Sequence, residues 1–413
     1  MSDSMRSVQK VDVLIVGGGM VGLAMACALR EQPDVRVMVV ERREIQPQLS
    51  LGSDMRVSAI IEGTANILRG MGVWDQLQNV SESIQQMRVW DQQEVGGARF
   101  EALEVGLQEL GRLVPNSEIQ YAMLNVLADC EHIDVYCPAH IESINFKTDA
   151  VYLSLDQGQH VQASLVVGAD GAQSWLREQA GISHYQRDYA QKAIVANVRP
   201  QQHHRNTAYQ RFLAGGPLAF LPLPKGLCSI VWSLAHEEAE QYMQLDDALF
   251  LDELNLAFGP VLGRIEEVGE RGAFPLVGRL SQHFVQHRLA LIGDAAHVIH
   301  PLAGLGVNLG IRDAIVLAQE VAMAIRYQED PGSMDVLALY RKNRVPDVLS
   351  VMASMEAFHH VFTSKYAVVG KLRRAGMLMF SNSGALKKSL MRTAMGLNLA
   401  VPANVMTTAK KQI

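Results

Sequence analysis

The sequence of 413 residues has only four cysteines, no long apolar run and no excess of basic residues. The cysteines form no Cys-x-x-Cys pair, which favours a reducing cytosol over a disulfide framework. There is no run of about 18 uncharged apolar residues, so we expect no membrane-spanning helix. The first ten residues are polar and lead directly into an apolar run, so we expect no secretory signal.

The net charge and the amino-acid composition further limit the kinds of protein that fit this sequence. The net charge of −6 argues against general nucleic-acid binding. Apolar residues make up 48% of the chain and charged residues 19%, which is typical of a globular protein. The length allows a sizeable core and two domains. We find no internal repeat and no low-complexity segment.

A nucleotide-binding βαβ unit is predicted close to the amino terminus. Residues 11–16 form a continuous apolar run, as expected for a parallel strand buried on both faces. A glycine-rich turn, a helix over about 20–30 and a second strand over 35–40 follow. The second strand ends at Glu41, whose carboxylate can bind both ribose hydroxyls of a dinucleotide.

Gly17, Gly19 and Gly22 have the Gly-x-Gly-x-x-Gly spacing of dinucleotide-binding turns. In that motif Gly17 permits a tight turn, and Gly19 lets the backbone approach a pyrophosphate. Gly22 allows the helix and the strand to pack closely. The amino terminus of the helix supplies N–H groups and partial positive charge for the phosphates. The alternative is a purely structural glycine turn.

A second nucleotide signature lies about 270 residues downstream. The apolar run 289–292 reads as a buried strand, and it ends at Gly293 and Asp294. An acid at the end of a strand can accept hydrogen bonds from sugar-like hydroxyls, and the glycine-rich turn over 301–308 can place backbone N–H groups against a flat polar ring. Two such signatures in one domain predict a cofactor longer than one nucleotide, and a flavin dinucleotide fits best.

Two further charged residues are candidates for cofactor contact. Arg56 follows the second strand and could reach the pyrophosphate or the substrate side of the flavin, because a guanidinium suits phosphate geometry. Its alternative is a surface arginine. Asp170 ends a buried strand over 164–167. It could cap the helix that starts near Ser174, or it could lie near the pyrophosphate where a nicotinamide cofactor docks.

Motifs for metal binding and nucleophilic catalysis are absent. His297 and His300 form a His-x-x-His pair, but there is no third ligand and no His-Glu-x-x-His pattern. We therefore predict no metal site, and we expect these histidines to pack or hydrogen-bond near the flavin. No Ser/His/Asp arrangement stands out, and Gly-x-Ser-x-Gly does not occur.

The middle of the chain changes character from about residue 183 to 274, where alternating segments predict an antiparallel sheet inserted into the first domain. The predicted divisions are 1–82, 112–182 and 276–350 for the nucleotide domain, 83–111 and 183–275 for the substrate domain, and 351–413 for a helical tail. This tail contains nine Lys/Arg and only one acid, Glu356. A basic apolar helix predicts contact with an anionic membrane; its alternative is a helix packed on the body.

These blocks together resemble the class A flavoprotein monooxygenases, the group of para-hydroxybenzoate hydroxylase. The segments Gly17-Gly-Gly-Met-Val-Gly-Leu-Ala24, Arg56-Val-Ser-Ala-Ile60 and His300-Pro-Leu-Ala-Gly304 are similar to the ubiquinone-biosynthesis hydroxylases. The resemblance extends from residue 11 to about 350. It implies an α/β fold, with a Rossmann-like FAD-binding domain, an inserted antiparallel-sheet substrate domain and a helical carboxy-terminal tail.

The same resemblance implies the cofactor site, in which Asp294 meets the ribityl or pyrophosphate region and Pro301 lies beside the ring. The residues implied to hold or adjoin FAD are Gly17, Gly19, Gly22, Glu41, Arg56, Asn116, Asp170, Gly293, Asp294, His297, Pro301, Gly304, Gly306, Val307 and Asn308. Two positions depart from the family pattern. Leu305 stands where the family usually has glutamine, and Pro115 stands where it has glutamate, so the contacts of those two family side chains do not carry over.

The implied reaction is hydroxylation of an aromatic ring on a polyprenyl phenol or benzoquinol of ubiquinone biosynthesis, with NAD(P)H and O2, through a flavin C4a-hydroperoxide. Phe220, Pro222 and Trp232 are predicted to line the substrate wall, and plain core packing is their alternative. No catalytic base can be named. Two rival functions are a flavin-dependent reductase of an isoprenoid lipid and a non-catalytic flavoprotein that serves as quinone sensor or assembly subunit.

We expect a cytoplasmic protein that associates peripherally with a membrane. Its expected partners are the polyprenyl substrate, a membrane surface contacted by the basic tail, and other ubiquinone-biosynthesis proteins. The sequence leaves the oligomeric state open, a homo-oligomer included.

Overall fold

The computed structural model describes residues 8–45, 56–91, 97–156, 158–299, 306–363 and 383–397. The strands in chain order are β1 (Gln9–Val16), β2 (Val37–Val40), β3 (Val57–Ile61), β4 (Glu82–Ile84), β5 (Gln86–Asp91), β6 (Ala98–Glu101), β7 (Gly111–Pro115), β8 (Ile133–Tyr136), β9 (Ile141–Phe146), β10 (Val151–Leu155), β11 (His160–Gly168), β12 (His184–Pro200), β13 (Thr207–Phe212), β14 (Pro217–Pro222), β15 (Cys228–Ala235), β16 (Ile265–Ser281), β17 (Val285–Gln286), β18 (Leu289–Leu291) and β19 (His297–Val298). The helices are α1 (Met20–Leu29), α2 (Glu62–Gly70), α3 (Trp74–Leu77), α4 (Asn116–Leu127), α5 (Trp175–Gln179), α6 (His236–Gln244), α7 (Asp247–Phe258), α8 (Gly306–Arg326), α9 (Met334–Thr363) and α10 (Gly384–Ala394).

The first sheet has the order β17-β18-β11-β1-β2-β8, and its strands from β18 to β8 are parallel to one another. Its central strands are apolar and buried, as is usual for parallel sheets. α1 connects β1 to β2, so the βαβ unit predicted from the sequence is present. The carboxyl ends of β18, β11, β1 and β2 therefore lie side by side at one edge of this sheet.

Helices α1 and α8 meet directly behind that edge. A Cβ atom on Gly310 of α8 would lie 2.7 Å from the Val21 side chain and 3.1 Å from the Cα of Gly293. Glycine at residue 310 thus permits the close packing of α8 against α1 and against the end of β18. Any larger side chain there would push the start of α8 away from the loop that follows β18.

The second sheet has the order β19-β16-β12-β15-β14-β13-β5-β6 and is antiparallel except for the β13–β5 pair. Helices α6 and α7 cover one of its faces and enclose a separate apolar core. The third sheet, β3-β7-β4, packs against the opposite side through a small cluster around Leu113 and Ala208. The structure therefore has the α/β architecture with an added antiparallel sheet that the sequence indicates.

Several predicted divisions do not coincide with breaks in the structure. The divisions after residues 82, 111, 275 and 350 fall inside β4, β7, β16 and α9. Helix α6 was not predicted from the sequence. The predicted end of the inserted sheet also lies before the end of β16. β16 continues to Ser281, since its second half pairs with the beginning of β12.

The carboxy-terminal helix α10 packs back onto the body of the protein. Met391 and Met395 are buried, and the Lys387 ammonium lies 2.7 Å from the Glu104 carboxylate. The Gly63 N–H donates to the Met395 carbonyl oxygen at 2.9 Å. For α10, these contacts fit the alternative stated from the sequence, a helix packed on the body of the protein. Among the described residues, no helix is both long and apolar enough to cross a membrane.

Candidate functional site

Four loops meet at the carboxyl edge of the parallel sheet. They carry Gly17, Glu41, Asp170 and Asp294, which follow β1, β2, β11 and β18 respectively. Backbone hydrogen bonds tie adjacent loops together: the Gly17 N–H donates to the carbonyl of the last β2 residue at 2.8 Å, and the Ala169 N–H donates to that of the last β1 residue at 2.8 Å. The topology thus brings together residues that are up to 277 positions apart, from 17 to 294.

The glycine turn after β1 shows a different spatial constraint at each glycine. Gly17 has φ +108, and a Cβ there would lie 2.5 Å from the Ala169 carbonyl oxygen. A Cβ at Gly22 would lie 2.0 Å from the Gly17 carbonyl oxygen. At Gly19 a Cβ would meet no atom of the described residues within 4 Å. Packing within the protein therefore explains Gly17 and Gly22, whereas the side of Gly19 is open to an approaching group.

Glu41 lies against the glycine turn. Its Oε2 accepts a hydrogen bond from the Gly18 N–H at 2.7 Å, and its Oε1 accepts one from the Arg43 N–H at 2.8 Å. The Gln120 side-chain amide donates to the Gly18 carbonyl oxygen at 3.1 Å. The carboxylate is partly exposed, so it can accept hydrogen bonds from a ribose while it remains next to the turn.

Asp170 divides its two oxygens between two environments. Oδ2 accepts the Leu176 N–H at 3.0 Å and so caps the beginning of α5, where Ser174 is the N-cap residue. Oδ1 is buried and has no hydrogen-bond partner among the described residues. Burial raises the pKa of this carboxyl group. The capping interpretation accounts for Oδ2, and the location of Asp170 near the pyrophosphate stays a prediction.

Asp294 lies in a short turn from Gly293 to His297. Its side chain is exposed, although protein surrounds it on most sides, as expected for a residue at the bottom of a cleft. Desolvation by this surrounding protein raises the pKa of the Asp294 carboxyl group, and His297 opposes the shift. An acid with few partners of its own, accessible from a cleft, suits the binding of ligand hydroxyls.

We expect Asp294→Asn to stabilise the protein without FAD at neutral pH. Because the folded-state pKa of this carboxyl is raised, its charged form opposes folding above that pKa, and the penalty disappears as pH falls below the unfolded value of about 4. The melting temperature of the variant should exceed that of the wild type at pH 7, and the two should converge near pH 4. A difference that is independent of pH would contradict the assignment. FAD affinity should decrease in the same variant.

His297 is buried. Its Nε2 donates to Asp313 Oδ2 at 2.6 Å, and its ring stacks on Phe284 with ring centres 5.8 Å apart. Among the described residues there is no group of three or more His, Cys, Asp or Glu that could hold a metal ion. His297 thus packs and hydrogen-bonds inside the protein, and its proximity to the flavin stays a prediction. Its partner, Asp313, was not predicted.

Arg56 and Asn116 are neighbours at one end of the third sheet. The Asn116 N–H donates to the Arg56 carbonyl oxygen at 3.0 Å, and the Ser58 hydroxyl donates to Asn116 Oδ1 at 2.7 Å. Arg56 is exposed, so its guanidinium can reach a ligand. Asn308 connects this sheet to the beginning of α8, since its amide nitrogen donates to the Ala59 carbonyl oxygen at 2.7 Å.

The glycine-rich turn is described only in part. Gly306 and Val307 begin α8 and are partly exposed. The predicted contacts of His300, Pro301 and Gly304 lie outside the described residues.

The three predicted wall residues lie in or beside the core of the second sheet. The Phe220 ring stacks on Phe258 of α7 at 3.8 Å, and Trp232 packs against Tyr242 of α6 at 5.0 Å. Both side chains therefore face the helices, since alternate residues of a strand point to opposite faces. The structure favours the core-packing alternative for both. Pro222 is buried at the end of β14, and its contact with substrate stays a prediction.

Two buried charged residues near the site were not predicted from the sequence. Asp313 is fully buried on α8, and Arg177 on α5 donates to the Ala295 carbonyl oxygen at 2.9 Å. The only signal for Asp313 was a single acid within an otherwise apolar helix face. Nothing in the sequence indicated that both side chains converge on the turn that carries Asp294.

Comparison with known proteins gives consistent matches over nearly the whole chain. Residues 10–353 match the family described as FAD binding domain. The chain is 38% identical over 388 residues to ubiquinone hydroxylase UbiL of Rhodospirillum rubrum, covering 93% of this chain and 89% of that protein. It is 34% identical over 391 residues to the 3-demethoxyubiquinol 3-hydroxylase of Escherichia coli, covering 94% and 99%.

Solved structures resemble the fold at lower sequence identity. The p-nitrophenol 4-monooxygenase PnpA of Pseudomonas putida superposes with a TM-score of 0.75 at 20% identity, covering 94% of this chain and 97% of that protein. PqsL of Pseudomonas aeruginosa superposes with a TM-score of 0.76 at 21% identity, covering 89% and 99%. These two likenesses concern the fold alone.

Proposed function

The chain belongs to the FAD-binding domain family, and we propose that it hydroxylates the aromatic ring of a polyprenyl phenol or benzoquinol in ubiquinone biosynthesis. It is an FAD-dependent monooxygenase with NAD(P)H and O2 as co-substrates. One observation carries the proposal: four loops with a glycine turn and three carboxylates meet at the ends of adjacent parallel strands. That arrangement suits an extended dinucleotide better than a single nucleotide.

The residues at this edge fit FAD. The open side of Gly19 and the amino terminus of α1 would bind the pyrophosphate, and Glu41 would bind the ribose of the adenosine. Asp294 would accept hydrogen bonds from the ribityl chain. Bound FAD, reduced by NAD(P)H, supplies the activation of oxygen. The role of the protein is to hold the ring close to the flavin and to exclude water from it.

We place the substrate wall on the face of the second sheet that α6 and α7 do not cover. Three apolar residues lie side by side there on central strands: Val195 pairs with Val231, and Val231 pairs with Ala219. All three are partly exposed, as is common on one face of an antiparallel sheet. Leu221, on the same face, packs with Ala59 of the strand that follows Arg56. This apolar surface suits a prenylated ring.

The decisive test supplies the purified flavoprotein with NAD(P)H, isotopically labelled molecular oxygen and a polyprenyl phenol. The proposal expects oxygen consumption that depends on the phenol and a product that carries one labelled oxygen atom. A reductase of an isoprenoid lipid would consume NAD(P)H without labelling its product. A quinone sensor or assembly subunit would bind FAD and show no phenol-dependent oxidation of NAD(P)H.

We also propose that the basic tail contacts an anionic membrane, where a polyprenyl substrate resides. Residues 351–413 contain nine Lys/Arg and one acid. Lys387 is occupied by its ion pair with Glu104. Lys388 and Arg392 are exposed on α10, and Leu390 between them is 48% exposed. Two basic side chains one helical turn apart, with an exposed apolar side chain elsewhere on the same helix, favour contact with anionic lipid.

We expect the wild-type protein to float with vesicles that contain anionic lipid and to remain unbound with zwitterionic vesicles. Lys388→Glu with Arg392→Glu should weaken the binding, since each basic side chain near an anionic surface contributes about 1 kcal/mol. The matched control reverses two exposed charges elsewhere, Lys225→Glu with Arg264→Glu, and should float like the wild type. Equal flotation of both double variants would contradict the proposed role of α10.

A further inference from the structure

One buried carboxylate holds both ends of the turn that carries Asp294. Asp313 Oδ2 accepts a hydrogen bond from the Gly293 N–H at 3.0 Å and another from His297 Nε2 at 2.6 Å. The two donors begin and end a five-residue turn. We propose that Asp313 is a positioning residue for the cofactor: it closes this turn so that Asp294 is directed into the cleft. The inference rests on the proposed binding of FAD at that cleft.

The second oxygen of Asp313 anchors the carboxylate from the opposite side. Oδ1 accepts from Arg344 Nε of α9 at 2.7 Å, and Arg344 also binds Asp347 at 2.6 Å. Burial alone would raise the pKa of Asp313, but His297 and Arg344 more than compensate and hold that pKa below its usual value. The carboxylate is therefore ionised, and its three neighbours donate to it.

Stability alone gives a weak reason for this arrangement. Replacing a buried ion pair by well-packed apolar side chains is often neutral or stabilising, because desolvation of the charges offsets their attraction. Asp313 is 0% exposed and Arg344 is 3% exposed. A buried carboxylate that makes two bonds to one turn instead fixes the geometry of that turn, and a ligand-binding residue lies at its centre.

The rest of the turn is held equally firmly. The Ala295 carbonyl oxygen accepts from the Arg177 guanidinium at 2.9 Å and from the Ser281 hydroxyl at 3.1 Å. Among residues 293–297, only Asp294 has an exposed side chain. The hydrogen bonds described above therefore hold the backbone and the buried residues of the turn, and the Asp294 side chain can bind a ligand.

The central test is Asp313→Asn, measured by titrating the protein freed of FAD with FAD. Asparagine has one acceptor oxygen, so it cannot serve the turn and Arg344 together. We expect FAD affinity to fall roughly tenfold to a hundredfold, the size of one lost charge-assisted hydrogen bond. The effect of Asp313→Asn acts through Asp294. In the double variant with Asp294→Asn, the fold-decrease in FAD affinity should therefore be smaller than the product of the two single fold-decreases.

The matched control is Tyr340→Phe. Tyr340 is also fully buried on α9 and donates to the Leu291 carbonyl oxygen at 2.8 Å, but it makes no bond to the turn. The Tyr340→Phe variant should have a lower melting temperature than the wild type. Its FAD affinity should stay within about twofold of wild type, because the lost hydrogen bond lies outside the turn. If Asp313→Asn does not fold, His297→Phe removes one of the two bonds to Oδ2, retains an aromatic ring, and should also weaken FAD binding.

Either of two results would overturn the inference: wild-type affinity in a folded Asp313→Asn or His297→Phe variant, or fully multiplicative losses in the double variant. Failure of the proposed function is distinguishable, because a wild-type protein that binds FAD without hydroxylating a phenol would refute the reaction and leave these titrations unchanged. A wild-type protein that does not bind FAD would refute the cofactor site itself.

Discussion

Alanine at Gly19 is expected to abolish tight FAD binding and to leave the fold unchanged. Gly19 has φ −69 and ψ 175, which alanine adopts without strain, and its added methyl group would meet no atom within 4 Å in the part of the chain that the structure describes. The methyl group would instead occupy the space through which a pyrophosphate approaches the backbone N–H groups. Losing one or two charge-assisted hydrogen bonds lowers affinity about a hundredfold. Titration with FAD measures the affinity, and thermal melting without FAD measures the fold.

Gly22→Ala is the matched comparison within the same turn. Its methyl group would lie 2.0 Å from the Gly17 carbonyl oxygen, so the backbone itself must move. We expect a large loss of thermal stability in this variant, whereas Gly19→Ala should melt within a few degrees of the wild type. If Gly19→Ala bound FAD as the wild type does, the phosphates would not lie at this turn, and the assignment of the whole edge would need revision.

The nucleotide-binding half was predictable because its signals are local. The apolar run of β1, the glycine turn and the terminal Glu41 lie within about 35 consecutive residues, and each has its own physical reason. The same holds for the end of β18 with Gly293 and Asp294. Parallel strands bring their carboxyl ends to one edge, so the sequence pattern alone predicts that these loops meet.

The second sheet was predictable in kind but not in orientation. Alternation along β14 and β15 tells which side chains share a face. It does not tell which face meets the helices, because both faces of these strands are largely apolar. Phe220 and Trp232 were therefore predicted to line the substrate wall, although both pack against α6 and α7. Val231, one position from Trp232, is partly exposed on the opposite face.

Asp313 illustrates what a sequence alone does not reveal. Its partners lie 20 residues before it at Gly293, 16 residues before it at His297 and 31 residues after it at Arg344. No periodicity relates these distances, because they arise from the packing of α8 between the β18 turn and α9. Only the tertiary contacts show that one carboxylate joins them.

The two faces of the second sheet should respond in opposite ways to substitution. Phe220→Ala removes a fully buried ring that stacks on Phe258, so we expect the free energy of unfolding to fall by about 3–5 kcal/mol through lost burial and the cavity left behind. FAD affinity and the KM for the phenol should remain close to wild type in the protein that stays folded. Denaturant unfolding and steady-state kinetics measure the two quantities separately.

Val231→Glu, by contrast, places a carboxylate on the partly exposed opposite face, where its charge remains accessible to water and the cost to folding is small. If that face forms the substrate wall, a charge there opposes burial of an apolar ring. We expect phenol-dependent hydroxylation to fall at least about tenfold, since desolvating a charge costs more than 1.4 kcal/mol, while FAD binding persists. Normal hydroxylation in Val231→Glu together with an impaired KM in Phe220→Ala would reverse the assignment of the two faces and return the substrate to the side of α6 and α7.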